Sequence, residues 1–487
     1  MNSRVRQNME NLIASIISCI LAFFFSTGGE VHPWVNKYTN SDFSVFKTVA
    51  LMMERGYMPY KDSFDHKGPL IYLINYWGNV IRPYRGVWIF ELMALTVTFY
   101  CIYKVTRLVC NRKFAIAASL MAISLLFMYY VGGGGTEEYA LPFISLALYI
   151  FLDYFVGHTI SPFRLVLCGL SLGAVLLLRP NMITVWVVFC VAVLIKLLWV
   201  EKDYKALLAY ILWFTVGVLL ILLPIIVWLF SHGALTQCWR DYIVFNFAYT
   251  SHATLMKKCI SFLYFGGSAV YFVSVLVMVL YCRKDNTFLN VTYLVYMFVS
   301  LLLICLGGRT EGSLHYGMVL VPVITYPMAL FFAEVSRIQP QSIKHLICAL
   351  LICSMILPDW GGIAKTLPEI YQSRNDGLPD GTVTQVCKIV EQYTEEDDAI
   401  SVYGNFDLIY VISNRKHATR YSYQYPISWV NPDILKEYLE QLQKEQPKVI
   451  VLDACDDNIM NFLEKNSYEL VFGEKKEDSQ GLLVYAK

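Results

Sequence analysis

Residues 206–230 read ALLAYILWFTVGVLLILLPIIVWLF and contain no charged side chain. A helix of about 20 apolar residues is long enough to cross the hydrocarbon core of a bilayer, so this segment predicts a membrane-spanning helix. Apolar runs of similar length recur near residues 11–27, 86–103, 114–131, 139–156, 163–178, 182–199, 260–281, 287–306, 316–335 and 345–358. Together they predict an α-helical polytopic membrane protein with about eleven spans.

The composition also indicates a membrane protein. Of the 487 residues, 56% are hydrophobic and only 16% are charged, whereas a soluble chain usually has about half and about a quarter. The net charge at pH 7 is +1, so the chain has no overall basic field that would recruit nucleic acid. We therefore exclude a nucleic-acid-binding function.

Basic residues predict the orientation of the chain. The first apolar run follows Arg4 and Arg6 but is not followed by a small-residue cleavage site, so we interpret it as a retained anchor. Alternate short loops then carry lysines and arginines, and the other short loops carry fewer, as the positive-inside rule predicts for cytoplasmic loops. These residues are Lys104, Arg107, Arg112, Lys113, Arg164, Lys202, Lys205, Arg283, Lys284, Arg337 and Lys344. The amino terminus is therefore predicted inside, with residues 28–85, the turns near 135, 180, 245 and 310, and the chain after about 359 outside.

The carboxyl-terminal part predicts a second domain. Residues 1–358 form the predicted transmembrane domain, and 359–380 form a linker punctuated by glycine and proline. In residues 381–487 charge rises and short elements alternate, which is typical of a small α/β domain. We expect helices near 382–394 and 432–445, and strands at 399–404, 448–453 and the terminal LLVYA.

The loop at residues 28–85 is too long for a simple connection, and structureless loops beyond about 15 residues are usually functional. Two amphipathic pieces, 43–55 and 69–81, predict helices lying at the membrane surface. Between them, GYMPYKDSFDHKGPL at 56–70 holds Asp65, His66 and Lys67 on a backbone stiffened by proline. This segment therefore predicts a site at the depth of lipid phosphates.

Several of these residues also have purely structural interpretations. Asp42 follows Ser41 at the start of a predicted helix, so it is either a helix cap or a functional acid. Lys67 is either a phosphate ligand or a lysine that reaches the membrane surface from an apolar helix.

The other outer turns raise the same question. Glu137 and Glu138 precede a predicted span, where acids oppose the helix dipole. Arg179 and Arg309, with His315 and Tyr316 near the latter, lie at outer helix ends, where basic residues commonly extend to the interface. All six are nevertheless candidate site residues, because they belong to turns on the same predicted side as the long loop.

Histidine and carboxylate side chains suit several divalent cations. His66 and His315, together with Asp42 or a glutamate, are therefore candidate ligands, although the sequence has no close histidine or cysteine spacing. We expect a divalent cation as a candidate cofactor.

The loop and turn motifs resemble those of a known enzyme family. SDFSVF at 41–46, MMERGYMPYKDSFDHKGPLIYLIN at 52–75, GGGGTEEYALPF at 132–143, LLLRPN at 176–181 and GGRTEGSLHYGMVLVPV at 307–323 are similar, in content and order, to motifs of the bacterial GT-C fold glycosyltransferases. The resemblance is to the branch that includes protein mannosyltransferases and aminoarabinose transferases.

The resemblance implies a transferase that moves a sugar from a polyprenyl-phosphate carrier to a lipid, glycan or protein acceptor outside the bacterial cytoplasmic membrane. By it, Asp42 takes the position of the catalytic aspartate, Lys67 that of the lysine that holds the carrier phosphate, and Glu137 or Glu138 the second acidic position. Arg179 and Arg309 are expected to assist at the donor phosphate, and Asp65, His66, His315 and Tyr316 to contact substrate or metal. His66 and Gly68 depart from the pattern of close relatives.

Independent chemistry agrees with two of these roles. Transfer with inversion needs a base for the acceptor hydroxyl, which suits a carboxylate in a partly desolvated cleft such as we expect around Asp42. The leaving phosphate gains charge, which suits a cation such as Lys67. The competing interpretations are a lipid or glycan transporter, and a ligase that uses a diphosphate-linked polysaccharide.

Overall fold

The computed structural model describes residues 3–487 apart from 35–37, 39, 131–132, 158, 252, 285, 307–310, 344–345, 347–348, 351–352, 354–380 and 474–480. The first fifteen α-helices in chain order are α1 Ser3–Phe25, α2 Asp42–Glu54, α3 Pro69–Ile81, α4 Trp88–Arg107, α5 Arg112–Tyr129, α6 Thr136–Phe155, α7 Pro162–Leu176, α8 Thr184–Ile195, α9 Tyr204–Ser231, α10 Leu235–Cys238, α11 Phe245–Ser251, α12 Leu255–Gly266, α13 Ala269–Tyr281, α14 Thr287–Cys305 and α15 Leu320–Val335. Short 3₁₀ helices cover Ser26–Gly28, Pro180–Met182 and Glu311–Val319, and π-helices cover Lys196–Val200 and Trp239–Val244.

The chain is a multi-pass membrane protein. Seven described helices are long and apolar enough to span a bilayer: Val5–Gly28, Trp88–Arg107, Arg112–Tyr129, Thr136–Phe155, Tyr204–Ser231, Thr287–Cys305 and Leu314–Val335. An eighth span would combine α12 and α13, which are bent by 80° at their junction. Two shorter apolar helices, Pro162–Leu176 and Thr184–Val200, coincide with the other predicted runs. The predicted run at 345–358 lies almost entirely outside the described residues, as does the predicted linker.

The described chain divides into two compact units. The first contains Met1–Gly29, Ile89–Ile225 and Ala253–Glu369. The second contains Glu30–Trp88, Ile226–His252 and Ile370–Lys487. The second unit therefore combines the long first loop, a segment around residue 240 and the carboxyl-terminal residues, three parts that are far apart in sequence.

The carboxyl-terminal residues form the expected small α/β fold. Its strands are β1 Ala399–Tyr403, β2 Lys416–His417, β3 Val449–Leu452, β4 Glu469–Phe472 and β5 Leu483–Ala486, and its helices are Gly381–Tyr393, Leu408–Ser413, Ile427–Val430, Asp433–Glu445 and Asp457–Lys465. The strand order is β2-β1-β3-β5-β4; β1 is parallel to β2 and β3, and β5 is antiparallel to β3 and β4. Buried valines and isoleucines of β1, β3 and β5 pack against Val386 and Val390 of the first helix. Burial of this apolar surface stabilises the domain.

The two loop helices begin where local chemistry favours a helix start. The hydroxyl of Ser41 accepts a hydrogen bond from the Phe43 amide, and the hydroxyl of Ser44 accepts one from the Ser41 amide, which forms a capping box. Pro69 occupies the first position of α3, where its fixed φ suits a helix and no amide hydrogen is needed. The first residue of α2 is therefore Asp42, and the cap is Ser41.

Candidate active site

Asp42 and Lys67 lie beside each other within the second unit. The Lys67 Nζ is 3.5 Å from Asp42 Oδ2. The Lys67 side chain is 8% exposed, whereas the Asp42 side chain is 67% exposed. The expectation of a partly desolvated cleft around Asp42 is therefore wrong, because α2 begins at the surface of the unit. The pair is a fixed cation beside an accessible carboxylate.

The backbone around Lys67 is held by two tyrosines. Tyr60 donates a hydrogen bond of 2.7 Å to the Lys67 carbonyl. The Tyr72 hydroxyl of α3 lies 3.2 Å from the same oxygen and shares its one proton between that oxygen and Asp65. Both rings are buried. Tyr60 has a φ of 66°, a left-handed conformation that is uncommon for residues other than glycine. The segment before α3 is thus fixed by buried contacts rather than by regular structure.

Asp65 is buried and fully hydrogen-bonded. Its Oδ2 accepts from the Tyr72 hydroxyl at 2.9 Å, and its Oδ1 accepts from the Tyr423 hydroxyl at 2.9 Å and the His66 amide at 2.7 Å. Burial raises the pKa of Asp65, while the charge of Lys67 and these hydrogen bonds lower it. Asp65 therefore acts as an anchor within the loop, since little of its surface can reach a substrate.

His66 connects Asp65 to Lys67. Its Nε2 is 3.1 Å from Lys67 Nζ, so this nitrogen accepts from the ammonium group, and its Nδ1 is 3.4 Å from Asp65 Oδ1. The network therefore assigns the proton of the neutral ring to Nδ1. The ring stacks on Tyr249, and the His66 carbonyl accepts a 2.6 Å hydrogen bond from Asn246. These contacts fix the orientation of the His66 ring and backbone.

Carboxyl-terminal residues 417–424 hold the same loop. Arg420 donates from Nε and Nη2 to the Tyr60 carbonyl at 2.9 and 2.7 Å and forms an ion pair with Asp241. The Phe64 amide donates to the Arg420 carbonyl at 2.7 Å. Burial raises the pKa of Asp241 to about 7, an effect that Arg420 partly offsets. This segment functions as a clamp, which we name the 417–424 clamp.

His417 belongs to the clamp as a neutral side chain. Its Nε2 is 2.9 Å from the hydroxyl of Ser63, and its Nδ1 is 2.5 Å from the Thr419 carbonyl. Burial lowers the pKa of His417 to about 4. The neutral ring therefore donates from Nδ1 and accepts at Nε2, which fixes Ser63 on the loop.

The 417–424 clamp contains most of an aromatic stretch whose sequence has two interpretations. Residues 418–425, ATRYSYQY, alternate as a half-buried strand would, and their tyrosines could instead have stacked on sugars. The structure shows neither, because the segment is irregular, and Tyr421 and Tyr423 are buried. Their hydroxyls bind Glu437 and Asp65 instead.

Four other predicted residues meet in the first unit. Arg179 forms a buried ion pair with Glu137, and it donates a 2.8 Å hydrogen bond to the Tyr316 hydroxyl. The rings of His315 and Tyr316 lie 4.3 Å apart. Because Glu137 already balances its charge, Arg179 is less available to a donor phosphate than its position in the sequence indicates. Arg309 lies outside the described residues.

Glu138 lies in a second acidic group of the same unit. Its Oε2 accepts a 2.7 Å hydrogen bond from the Gly134 amide, and its side chain is fully buried. Glu91 is also fully buried and accepts a short hydrogen bond from the Tyr130 hydroxyl. Glu91 is not predictable as a site residue from the sequence, because one acid in an apolar run gives no signal of what it contacts.

The comparisons with known proteins identify the family. The family model for the N-terminal domain of the competence-induced protein Ccs4 matches residues 6–344, which is more than half of the chain. The chain belongs to the competence-induced Ccs4 family. A search of curated proteins finds no match to this Ccs4 family sequence.

Solved structures similar to this Ccs4 family chain have the GT-C fold. ArnT from Cupriavidus metallidurans bound to undecaprenyl phosphate has a TM-score of 0.61 at 13% identity, over 98% of this chain and 97% of that one. ArnT in the apo state has a TM-score of 0.57 at 12% identity, over 99% and 98%. The apo oligosaccharyltransferase of Archaeoglobus fulgidus has a TM-score of 0.54 at 13% identity, over 91% and 69%. The predicted GT-C fold is confirmed.

A metal site is not evident among the described residues of the Ccs4 family chain. No three histidine, cysteine, aspartate or glutamate side chains in that part converge on a possible ion. His66 Nε2 is engaged with the Lys67 ammonium group, which competes with metal binding at that nitrogen. The role of a divalent cation stays a prediction.

Three residues that contact the loop were not predicted from the sequence: Tyr423, Arg420 and Asn246. Each reaches the loop from a segment more than 170 residues away, because Asn246 and His66 are separated by 180 residues and Tyr423 and Asp65 by 358. Asp241 lies in a π-helix, an irregularity that is frequent at functional sites but is not readable from sequence periodicity.

Proposed function

We propose that this protein is an inverting glycosyltransferase, which moves a sugar from a polyprenyl-phosphate carrier to a lipid, glycan or protein acceptor outside the cytoplasmic membrane. The observation that carries the proposal is the Asp42–Lys67 pair, in which an accessible carboxylate lies 3.5 Å from a buried ammonium group. These are the two groups that such a transfer needs at its reacting centre.

In the proposed reaction, the acceptor hydroxyl oxygen attacks the anomeric carbon of the carrier-linked sugar. Asp42 takes the hydroxyl proton as the new carbon–oxygen bond forms. The bond between the anomeric carbon and the phosphate oxygen breaks on the opposite face, so the configuration inverts. The carrier leaves as a phosphate monoester, and its additional negative charge is stabilised by Lys67.

The fixed position of Lys67 supports its role. A cation stabilises a transition state best when it is already oriented and need not reorganise. The ammonium group is 3.1 Å from His66 Nε2, and the Lys67 carbonyl accepts from Tyr60 and Tyr72. This arrangement holds the charge in place before a carrier binds.

The fold supports the same class of reaction. ArnT, which shares the fold across nearly its whole length, has been solved with undecaprenyl phosphate bound. A polyprenyl phosphate is the leaving group of the reaction proposed here. The long apolar helices are consistent with a donor that stays in the bilayer.

The experiment compares cells that lack the gene with cells complemented by variants. Envelope lipids, glycans and proteins are analysed by mass spectrometry for one lost sugar. We expect Asp42→Asn and Lys67→Ala to leave the sugar missing. Asp433→Asn is the matched control, because Asp433 is also an exposed acid at the first position of a helix, and it should restore the sugar. Full restoration by Asp42→Asn and Lys67→Ala, at equal protein levels, would refute the proposal.

One observation favours a lipid or glycan transporter as a second candidate. Glu91 and Glu138 are fully buried in candidate spans, and intramembrane acids commonly mark transport paths. Both, however, lie in the first turn of their helices rather than at mid-span. Movement of labelled carrier across liposomes without formation of a new glycoside would favour the transporter.

A further inference from the structure

A polar cavity lies in the first unit, at the other end of α4 from Glu91. Its volume is about 780 Å³.

 A separate polar cavity of about 870 Å³ lies in the second unit and is lined in part by Lys61 and Arg420. The cavity of about 780 Å³ lies where the start of α1, the end of α4 and the start of α5 meet.

This cavity of the first unit, which we name the basic cavity, carries an excess of positive charge. Its lining includes the basic residues Arg6, Lys104, Arg107 and Arg112, and the acidic residues Glu10 and Asp153. With all six ionised, the lining has two more positive than negative charges. These basic side chains would therefore attract an anion in the cavity. Physiological salt does not screen this attraction at contact distance, because the Debye length there is about 8 Å.

The acids of the basic cavity are already paired. Glu10 Oε1 lies 2.7 Å from Arg107 Nε and accepts a 2.8 Å hydrogen bond from the Tyr103 hydroxyl. Asp153 forms an ion pair with Arg164. The excess charge thus resides on the remaining basic side chains.

Within the described part of the chain, Arg6, Lys104 and Arg112 form no close ion pair with an acid, although Glu10 and Asp153 lie near enough to interact with Lys104. Lys104 Nζ donates a 3.1 Å hydrogen bond to Asn11, which is neutral. Arg6 and Arg112 are exposed, and the structure records no ion pair for either with any residue it describes. Arginine pairs particularly well with phosphate, because its planar donors match the phosphate oxygens.

An apolar groove continues from the basic cavity along the helices. Glu10, Ile13, Tyr103 and Arg112 line both. The groove has a volume of about 210 Å³. Apart from the shared residues and two serines, it is lined by apolar side chains of α1, α4 and α5, among them Ala14, Ile17, Leu21, Phe99, Ile116 and Ile123. A charged end joined to an apolar channel matches an amphiphile rather than a free phosphate.

We propose that the basic cavity and its groove bind an anionic glycerophospholipid, with the phosphate headgroup at Arg6 and Arg112 and an acyl chain along α1 and α5. The distribution of lysine and arginine assigns this end of the helices to the cytoplasmic side. The anionic lipids of that leaflet are attracted to basic residues and bind basic pockets between membrane helices. The site does not depend on the proposed glycosyltransferase reaction.

The first test measures lipid binding to the purified full chain in detergent, with phosphatidylglycerol as the probe and phosphatidylcholine as the zwitterionic comparison. Each basic residue near such a surface contributes about 1 kcal/mol, or about fivefold in affinity. We expect the double variant R6Q/R112Q to bind phosphatidylglycerol about 25-fold more weakly. Lys113→Gln is the matched control, because Lys113 is exposed and adjacent to Arg112 but does not line the cavity, and it should bind within about twofold of the unaltered protein.

The second test addresses the groove. Ala14→Trp should fill the groove and weaken binding of long-chain phosphatidylglycerol, while leaving the weaker binding of a short-chain analogue unchanged. Equal weakening in R6Q/R112Q and Lys113→Gln would overturn the proposal, because it would show general attraction to a basic surface. Tight binding of polyprenyl phosphate with no binding of phosphatidylglycerol would also overturn it.

Discussion

Replacing Tyr423 with phenylalanine removes one hydroxyl group from the loop that carries Lys67. That hydroxyl donates to Asp65 Oδ1 at 2.9 Å, and the carboxylate is buried. A hydrogen bond to a charged group contributes about 1.5–3 kcal/mol. If that energy keeps Asp65, His66 and Lys67 in the orientation that stabilises the leaving phosphate, we expect Tyr423→Phe to lower the transfer rate about 10- to 100-fold.

The pH dependence of the same variant gives a second result. Burial raises the pKa of Asp65, and the Tyr423 hydrogen bond is among the interactions that lower it. Loss of this hydrogen bond leaves the pKa of Asp65 higher, so the carboxylate is protonated at a higher pH. We expect the acid limb of the rate profile to move to higher pH, measured as sugar transfer to membranes of gene-deleted cells.

The matched control is Tyr425→Phe. Tyr425 also donates a 2.9 Å hydrogen bond to an aspartate, Asp456, but that aspartate lies outside the loop. Tyr425→Phe should reduce the stability of the protein without changing the sugar-transfer rate of correctly folded molecules. An unchanged rate and acid limb in Tyr423→Phe, or an equal change in Tyr425→Phe, would show that the 417–424 clamp does not position the reacting groups.

Three further predictions concern stability and assembly. Burial raises the pKa of Asp407 to about 7. The stability that protonation of Asp407 contributes is therefore fully present below a pH of about 4 and is lost as pH rises through 7. The stabilising effect of Asp407→Asn should grow over this range to at most about 4 kcal/mol, which thermal unfolding at pH 5 and pH 8 would check. Glu137→Gln leaves the buried guanidinium of Arg179 without its carboxylate and should cost about 3–5 kcal/mol, with a smaller loss in the double variant that also carries Arg179→Gln; equal losses would refute the pairing. Deletion of residues 381–487 should abolish transfer altogether, because the clamp is lost; retained transfer with a changed acceptor would contradict this.

Periodicity predicted the two loop helices closely, whereas strands Lys416–His417 and Glu469–Phe472 and helix Asp457–Lys465 were not predicted. The amphipathic runs at 43–55 and 69–81 became α2 and α3 with shifts of at most one residue at either end. Period-based reasoning works there because each helix has one face that packs and another that does not. The motif order also predicted the GT-C fold, which the solved structures confirm.

The surroundings of the candidate site were less predictable. Asp42 and Lys67 were selected from motif and chemistry, but their contacts depend on residues that no local pattern connects to them. Tyr423 illustrates the difficulty, because its alternating neighbourhood is typical of a strand, whereas the structure uses its hydroxyl to hold a loop. Side-chain partners across hundreds of residues are set by tertiary packing, which periodicity does not report.

The composition of the second unit has a consequence for biogenesis. Its first segment, Glu30–Trp88, is synthesised near the beginning of translation, whereas the clamp is synthesised near the end. Contacts such as that between Asp65 and Tyr423, separated by 358 residues, must wait until all the intervening helices have been inserted. A nascent chain therefore contains the Asp42–Lys67 pair before it contains the clamp residues that hold the surrounding loop. The proposed transfer activity would begin only once membrane insertion is complete.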